Sequence, residues 1–354
     1  MSVDVIQNLR KYEQTLIQRG NPWKEWTAEV YKACDIFAKI IGAKSDEICP
    51  HYSASSALIS LVSSFKPNGR KKIVTTDLDY PSMGVVLTGL KAHGFEVEII
   101  KHRDGVIYPD DYRRVVDSKT LLVAIFHVSA LNGFKQQVEE IVETCRNKGA
   151  YLLLDVYQSV GVVPVDVRQM DVDFVVAGAT KFLLGLPGSG FLYVKRELVD
   201  ELRPTAVSWF SQKDPFLFGP EKMNYRDDAK RFEMGTWSVP SMYAAVAGLN
   251  IISKIGINRI YDQVEKLKKH FINEANKQGL RFFSPIDEPL GPTLSVWVGN
   301  NSHTVELMMR QRKIITSARG PGLRFAHHFF NNRADVEKGV EQLGKVLKRF
   351  KSRY

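Results

Sequence analysis

Cysteine is scarce in this chain of 354 residues: Cys34, Cys49 and Cys145 are an odd number and form no CxxC pair. That excludes a disulfide framework and a cysteine zinc site, and it suits a reducing compartment, so the cytoplasm is the expected location. Long apolar runs are missing too. No stretch approaches the roughly 18 uninterrupted apolar residues of a membrane helix. Asp4 and Glu13 interrupt the first twenty residues, where an export signal would need an apolar core. Neither a membrane role nor export is expected. His51, His93, His102 and His303 stand apart without metal-ligand spacing, and no metal is expected. Repeats and low-complexity tracts are absent, and a composition of 44% apolar and 25% charged residues excludes disorder.

Acidic charge is also in short supply, with 39 Asp plus Glu against 49 Lys plus Arg, a net of +10. Such an excess raises the question of an acidic polymer as partner. Its location weakens that reading. Residues 301–354 hold 12 basic and 4 acidic residues, a net of +8, and much of this lies at a helix end with Lys345, Lys348, Arg349 and Lys351, where cations complement the helix dipole. A nucleic-acid-binding protein remains the non-enzyme alternative, and nucleic acid is not the expected partner.

The length exceeds what one hydrophobic core usually serves. The expected division is a helical N-terminal segment over 1–20, a large domain over 21–240 and a smaller C-terminal domain over 241–354. Within the large unit, short β-rich runs at 73–77, 95–100, 121–127, 151–156, 174–177 and 190–194 alternate with amphipathic stretches. That alternation predicts an α/β fold, a mainly parallel sheet with helices on both faces, followed by a smaller α+β domain. A helix is expected over 136–147, with Val138, Ile141, Val142 and Cys145 on one face and Gly149 as its stop. Residues 209–237, containing Pro215, Gly219 and Pro220, read as a long functional loop or junction. Helical spacing resumes through Leu249, Ile252, Ile260, Val264 and Leu267. The last helix, over 334–350, shows one stripe of Val336, Val340, Leu343, Leu347 and Phe350, with Asn332 and Asp335 as a near capping box. Trp23 and Trp26 read as packing aromatics.

The chemistry is carried by two strand ends. Tyr151-Leu-Leu-Leu-Asp155 ends a buried strand in a carboxylate, and Asp173-Phe-Val-Val-Ala-Gly-Ala-Thr180-Lys181 follows the next strand with an amine. Adjacent parallel strands would place both on the C-terminal edge of the sheet, where open α/β proteins bind ligands. Such a pair suits pyridoxal phosphate chemistry, in which the amine condenses with an aldehyde and the carboxylate keeps the pyridine nitrogen protonated. A salt bridge between strand ends is the plain alternative. Lys181 leads into the bend Gly185-Leu-Pro187-Gly188-Ser-Gly190, which is neither a Walker A loop nor a Rossmann fingerprint.

Taken together, these segments resemble class V of the fold type I pyridoxal-phosphate enzymes. The group includes serine and alanine–glyoxylate transaminases, cysteine desulfurases, kynureninases and isopenicillin N epimerase-like proteins. The resemblance implies pyridoxal 5'-phosphate as cofactor, Lys181 as the Schiff-base lysine and general base, Asp155 on the pyridinium nitrogen and Gln158 on the phenolic oxygen. Tyr52-Ser-Ala54-Ser55 resembles the phosphate-binding turn into a helix, and Tyr80 the ring stacked on the cofactor. Arg231-Phe-Glu233-Met-Gly235-Thr236 resembles the segment that reaches the neighbouring subunit's phosphate, so Gly235 and Thr236 are implied cofactor ligands in a homodimer with composite sites. Arg324 matches the clamp for the substrate α-carboxylate.

Departures matter as well. Residues 311–322 contain no cysteine where desulfurases carry their nucleophile. Ala130 stands where desulfurases have a cofactor-contacting Asn, with Asn132 nearby as an implied substrate ligand. Thr180 replaces a His, with its hydroxyl as an implied cofactor donor, and Gly178 stands where a phosphate-binding Ser is common. The expected activity is transamination between a small amino acid and a keto acid, with a kynureninase-like or cysteine/selenocysteine lyase, or an epimerase-like reaction, as alternatives.

Overall fold

The computed structural model describes residues 1–217, 221 and 223–351, with side chains through Lys348. Gly219 and Pro220 of the long loop, and the Arg349, Phe350 and Lys351 side chains of the last helix, lie outside the described set. Seven strands form the main sheet: β1 (Ile48–His51), β2 (Lys72–Thr76), β3 (Glu96–Ile100), β4 (Thr120–Phe126), β5 (Tyr151–Asp155), β6 (Phe174–Gly178) and β7 (Gly190–Val194). Their order is β1-β7-β6-β5-β4-β2-β3. The run from β6 to β3 is parallel, and β7 is antiparallel to both of its neighbours.

Alternation in the strands decides which helices cover which face. Leu152 and Leu154 of β5, Val175 and Ala177 of β6, and Phe191 and Tyr193 of β7 point into one core. The residues between them, Leu153, Val176 and Leu192, point into the other. Period-two geometry requires this when both faces of a sheet are buried. The first face is covered by α2 (Trp23–Ile40), preceded by α1 (Val3–Arg19), and Phe37 of α2 stacks on Phe191 at 4.4 Å between centroids. The second is covered by α3 (Ala54–Val62) through Ala57, Leu58 and Leu61. Trp26 is buried, in keeping with a packing role.

The helix Val239–Ile255 places Met242, Ala245, Val246 and Leu249 in the first core. The large core thus draws on residues beyond 240. A second, antiparallel sheet follows, with β8 (Thr293–Trp297), β9 (Ser317–Arg319) and β10 (Gly322–Ala326) in the order β8-β10-β9. It shares a core with the helices Ile257–Lys277 and Arg333–Lys351 through Phe271, Leu294, Val296, Leu323, Val340 and Leu343. The Asn332–Asp335 cap forms in both directions, at 3.0 and 3.1 Å. β1 was not anticipated: four residues with Pro50 inside carry little strand signal, and tertiary burial at the sheet's edge decides the conformation.

Candidate active site

β5 ends at Asp155, and β6 ends at Gly178, three residues before Lys181. Both groups face one cavity of about 190 Å³, which Ala54, Ser55, Tyr80 and Gln158 also line. Parallel register brings this about: Asp155 lies opposite Val176, so the chain leaving β6 climbs past the carboxylate. Asp155 Oδ1 accepts the Tyr157 N–H at 2.8 Å. Burial pushes its pKa up to about 6, a rise that this hydrogen bond and Lys181 only partly offset. Among the described residues the two form no ion pair, so a plain salt bridge between strand ends is not what the edge holds.

Although Lys181 is exposed in part, desolvation of its amine in the cleft lowers the pKa to about 8; Asp155 opposes the shift, and Arg324 and Arg319 add to it. Its ammonium lies 5.3 Å from the centre of the Tyr80 ring and 4.4 Å from that of Tyr157. A substantial fraction of neutral amine near physiological pH is the state that nucleophilic attack and proton abstraction need.

α3 opens on the same cavity. Ser53 caps it, accepting the Ser56 N–H at 3.1 Å, while Ser56 Oγ accepts the Ser53 N–H at 3.1 Å. The Ala54 and Ser55 N–H groups have no acceptor among the described residues. Two free donors at the positive end of a helix dipole form an anion cradle.

Arg324 reaches in from the small sheet. It is the central residue of β10, opposite Ser295 and Ser317, whose small side chains leave room for it. Its guanidinium donates to Ser317 Oγ at 2.8 and 3.2 Å and to the carbonyl oxygen of Ala130. No carboxylate pairs with it among the described residues, and burial beside Arg319 lowers its pKa to about 10. A second cavity of about 350 Å³ lies against it and shares Lys181 and Gln158 with the first. A cation held on neutral acceptors beside a reactive amine is suited to a substrate carboxylate.

Several expected residues line neither cavity of the single chain. Asn132 is fully buried and lines neither cavity; its Nδ2 donates to Gly105 O at 2.7 Å and its Oδ1 accepts from Phe134 N at 3.1 Å, which ties a loop together. Thr180 is exposed and accepts the Tyr157 hydroxyl at 3.1 Å. Gly235 adopts φ +138° against the Tyr52 hydroxyl, and Thr236 is exposed; neither lines either of these two cavities. His327 and His328 line the second cavity as neutral rings, since burial lowers both pKa values, that of His327 to about 4. Tyr157 was not anticipated. Its only signal was a bulky ring between Asp155 and Gln158.

An aldehyde-bearing, phosphorylated pyridine matches this set of groups: an amine with lowered pKa, a carboxylate without a cation, and free donors at a helix N-terminus. A family model, aminotransferase class-V, matches residues 4–340. The chain belongs to that family. An uncharacterized aminotransferase of Bacillus subtilis strain 168, YcbU, is 32% identical over 340 residues, covering 96% of this chain and 90% of that protein. A probable cysteine desulfurase of Pyrococcus abyssi strain GE5 is 27% identical, over 90% of this chain and 83% of its own. Among solved structures, a cystine C–S lyase captured with its product cysteine persulfide superposes with a TM-score of 0.89 at 17% identity, covering 97% of this chain and 94% of its own, which shows the fold. A variant of that lyase holds glycine covalently linked to pyridoxal phosphate.

Pyridoxal 5'-phosphate is the cofactor of this class V family, and the residues here fit it. Lys181 would carry its aldehyde carbon, Asp155 would face its ring nitrogen, and the α3 N-terminus would hold its phosphate.

Proposed function

We propose that this class V enzyme is an aminotransferase. What supports the reading over a desulfurase is the absence of a thiol where the reacting groups meet. Cys34, Cys49 and Cys145 are all buried, and none lines either cavity. Burial raises the pKa of each thiol, that of Cys145 to about 12, so none supplies a thiolate to accept sulfur.

The cofactor, when bound, supplies an electron sink for charge developing at the substrate α-carbon. The chain's own residues do the rest. Arg324 would bind the α-carboxylate and so orient the α-carbon toward Lys181. Lys181 Nζ, beside the bound substrate, would take the α-proton and return a proton on the other side of the transfer. Asp155 would hold a proton on the cofactor's ring nitrogen by its negative charge. Gln158, shared by both cavities, is placed to contact either molecule.

We place the enzyme in the cytoplasm as a homodimer in which the partner's Gly235–Thr236 segment completes each site. No helix among the described residues is long and apolar enough to cross a membrane. Incubating the holoenzyme with single amino acids and a keto acid tests the reaction. A new amino acid formed only when the keto acid is present supports transamination. Pyruvate or alanine released without an acceptor points to a lyase and overturns it.

A further inference from the structure

The cavity beside Arg324, about 350 Å³, is larger than a small amino acid needs. An apolar cavity of about 150 Å³ takes up benzene, so a ring fits here, whereas a methyl or hydroxymethyl side chain leaves most of the space to water. Lys181 and Arg324 are the only lining groups that carry charge, and the proposed reaction assigns them to the substrate's amine and α-carboxylate. No cation is left among the lining residues for an acidic side chain, and no anion for a basic one. Much of the remaining wall is apolar or aromatic: Phe182, Leu184, Ile315, His328 and Phe330. His328 belongs with the rings. Its Nε2 donates to Phe182 O at 3.0 Å and its Nδ1 accepts the Phe329 N–H at 2.8 Å, so both nitrogens are used and the ring stacks on Phe330 at 5.1 Å between centroids. Ile315 and Phe330 are 77% and 61% exposed although they line this cavity, and an apolar guest would take surface of both out of water.

A free acceptor lies at the other end. His327 is buried against the same cavity, and its Nδ1 carries the hydrogen, because its partner at 3.3 Å is the carbonyl oxygen of Pro292. Nε2 therefore keeps its lone pair, finds no donor among the described residues and is not sealed in the core. Burial keeps the ring neutral, with its pKa lowered to about 4. The strand sets the reach: Ala326 follows Arg324 on the same face of β10, opposite Thr293, and His327 comes next, about 10 Å of extended chain from Arg324. The cavity runs over these two small side chains, between the guanidinium and the imidazole.

We propose that the amino-acid substrate carries an aromatic side chain with an N–H or O–H on its far edge, the ring lying against Phe182, His328 and Phe330 and its donor on His327 Nε2. This rests on Lys181 and Arg324 holding the amine and the carboxylate, as the aminotransferase reading has them, and it gives the substrate a larger side chain than the sequence alone suggested. Arg324 fixes one end of the molecule, and His327 pairs with a donor placed a ring's length away.

Titrating the holoenzyme with single amino acids and following its visible absorbance reads binding whatever reaction follows. Calorimetry with para-hydroxyphenylpropionate, which has the carboxylate and the phenol but no amine, reads the cavity without the chemistry. Tyrosine should bind about a hundredfold more tightly than alanine or aspartate, the effect of burying a ring, and about tenfold more tightly than phenylalanine, that of one hydrogen bond. His327→Asn keeps a donor for Pro292 and removes the acceptor, so it should bring tyrosine and phenylalanine to about equal affinity. Ala326→Leu narrows the cavity without touching His327 and should weaken para-hydroxyphenylpropionate by about tenfold or more, with a smaller effect on alanine. Melting curves check that both variants fold. Wild-type affinities that are equal for tyrosine and alanine, or for tyrosine and phenylalanine, overturn the inference, as does a His327→Asn protein that keeps the wild-type ratio. The aminotransferase reading survives those outcomes if a keto acid still yields a new amino acid. Aromatic preference without any transamination overturns that reading and leaves the cavity's assignment standing.

Discussion

The large-sheet wall of the cleft places its charged groups by backbone, while the small-sheet wall places its cation by side-chain contacts. Asp155 and Lys181 sit at or just beyond the ends of neighbouring parallel strands, so their spacing follows from the register of β5 and β6. Arg324 instead projects from mid-strand through a gap left by Ser295 and Ser317, and rests on Ser317 and on a carbonyl of the opposite wall. The first arrangement suits chemistry, where small misplacements cost rate. The second suits recognition, where a side chain must exchange one partner for another. Burial pushes all three groups toward their neutral forms, but from different starting points: it leaves Asp155 at about 6 and Lys181 at about 8, close to physiological pH, and Arg324 at about 10, where it is still charged.

The comparison can be broken by substitution, and the large-sheet wall should give the larger losses. Lys181→Ala should reduce turnover by about 10⁴-fold, the upper end for loss of a general base, and abolish the visible absorbance of the native protein. Retained turnover would remove Lys181 from the reaction. Asp155→Asn should cost about 10² to 10³ in turnover, as loss of a preorganised electrostatic partner does. The same variant should gain stability without cofactor. With its pKa raised from 3.8 to about 6, the native carboxyl holds a proton that the unfolded one has lost between those values. Asp155 should therefore contribute on the order of 1 kcal/mol to a fall in stability as pH rises from 4 to 6, and the fall in Asp155→Asn should be smaller by that amount. Chemical denaturation at several pH values reads it.

On the small-sheet wall, Arg324→Ala should raise KM about a hundredfold with a smaller change in kcat, and Arg324→Lys should restore only part of it. Equal losses in kcat would mean that the two walls do not divide the work as described. The mildest test is pH alone. Only the neutral amine attacks a carbonyl, so uptake of pyridoxal 5'-phosphate by cofactor-free protein should speed up as pH rises to about 8 and level off above. A rate still climbing toward the ordinary lysine range would show that burial does not lower the pKa of Lys181.

How much of this was legible from residues alone follows the same division. The strand ends were, because a run such as Tyr151-Leu-Leu-Leu-Asp155 declares both its burial and its terminus locally. β1 was not, since Ile48-Cys-Pro-His51 becomes a strand only by pairing with β7, more than a hundred residues later. Tyr157 depended on Gly178, where a Cβ would overlap its ring and which it meets only after β5 and β6 pair. Asn132 was expected near substrate from its place in a family pattern, yet the fold spends both ends of its amide on backbone groups. Arg324 was identified by motif, but the serine gap that admits it and the carbonyl that holds it come from three separate strands and loops.

That carbonyl, from Ala130, sets an entry condition for the site. An arriving ligand must outcompete a peptide oxygen already bound to the guanidinium, and an ionised acceptor forms hydrogen bonds roughly twice as strong as a neutral one. An amino acid's carboxylate meets that threshold, whereas its amide offers only another peptide-like oxygen and gains nothing by the exchange. With Arg324 as the proposed carboxylate clamp, its resting contacts would select against amides and decarboxylated amines before any catalytic step distinguishes them.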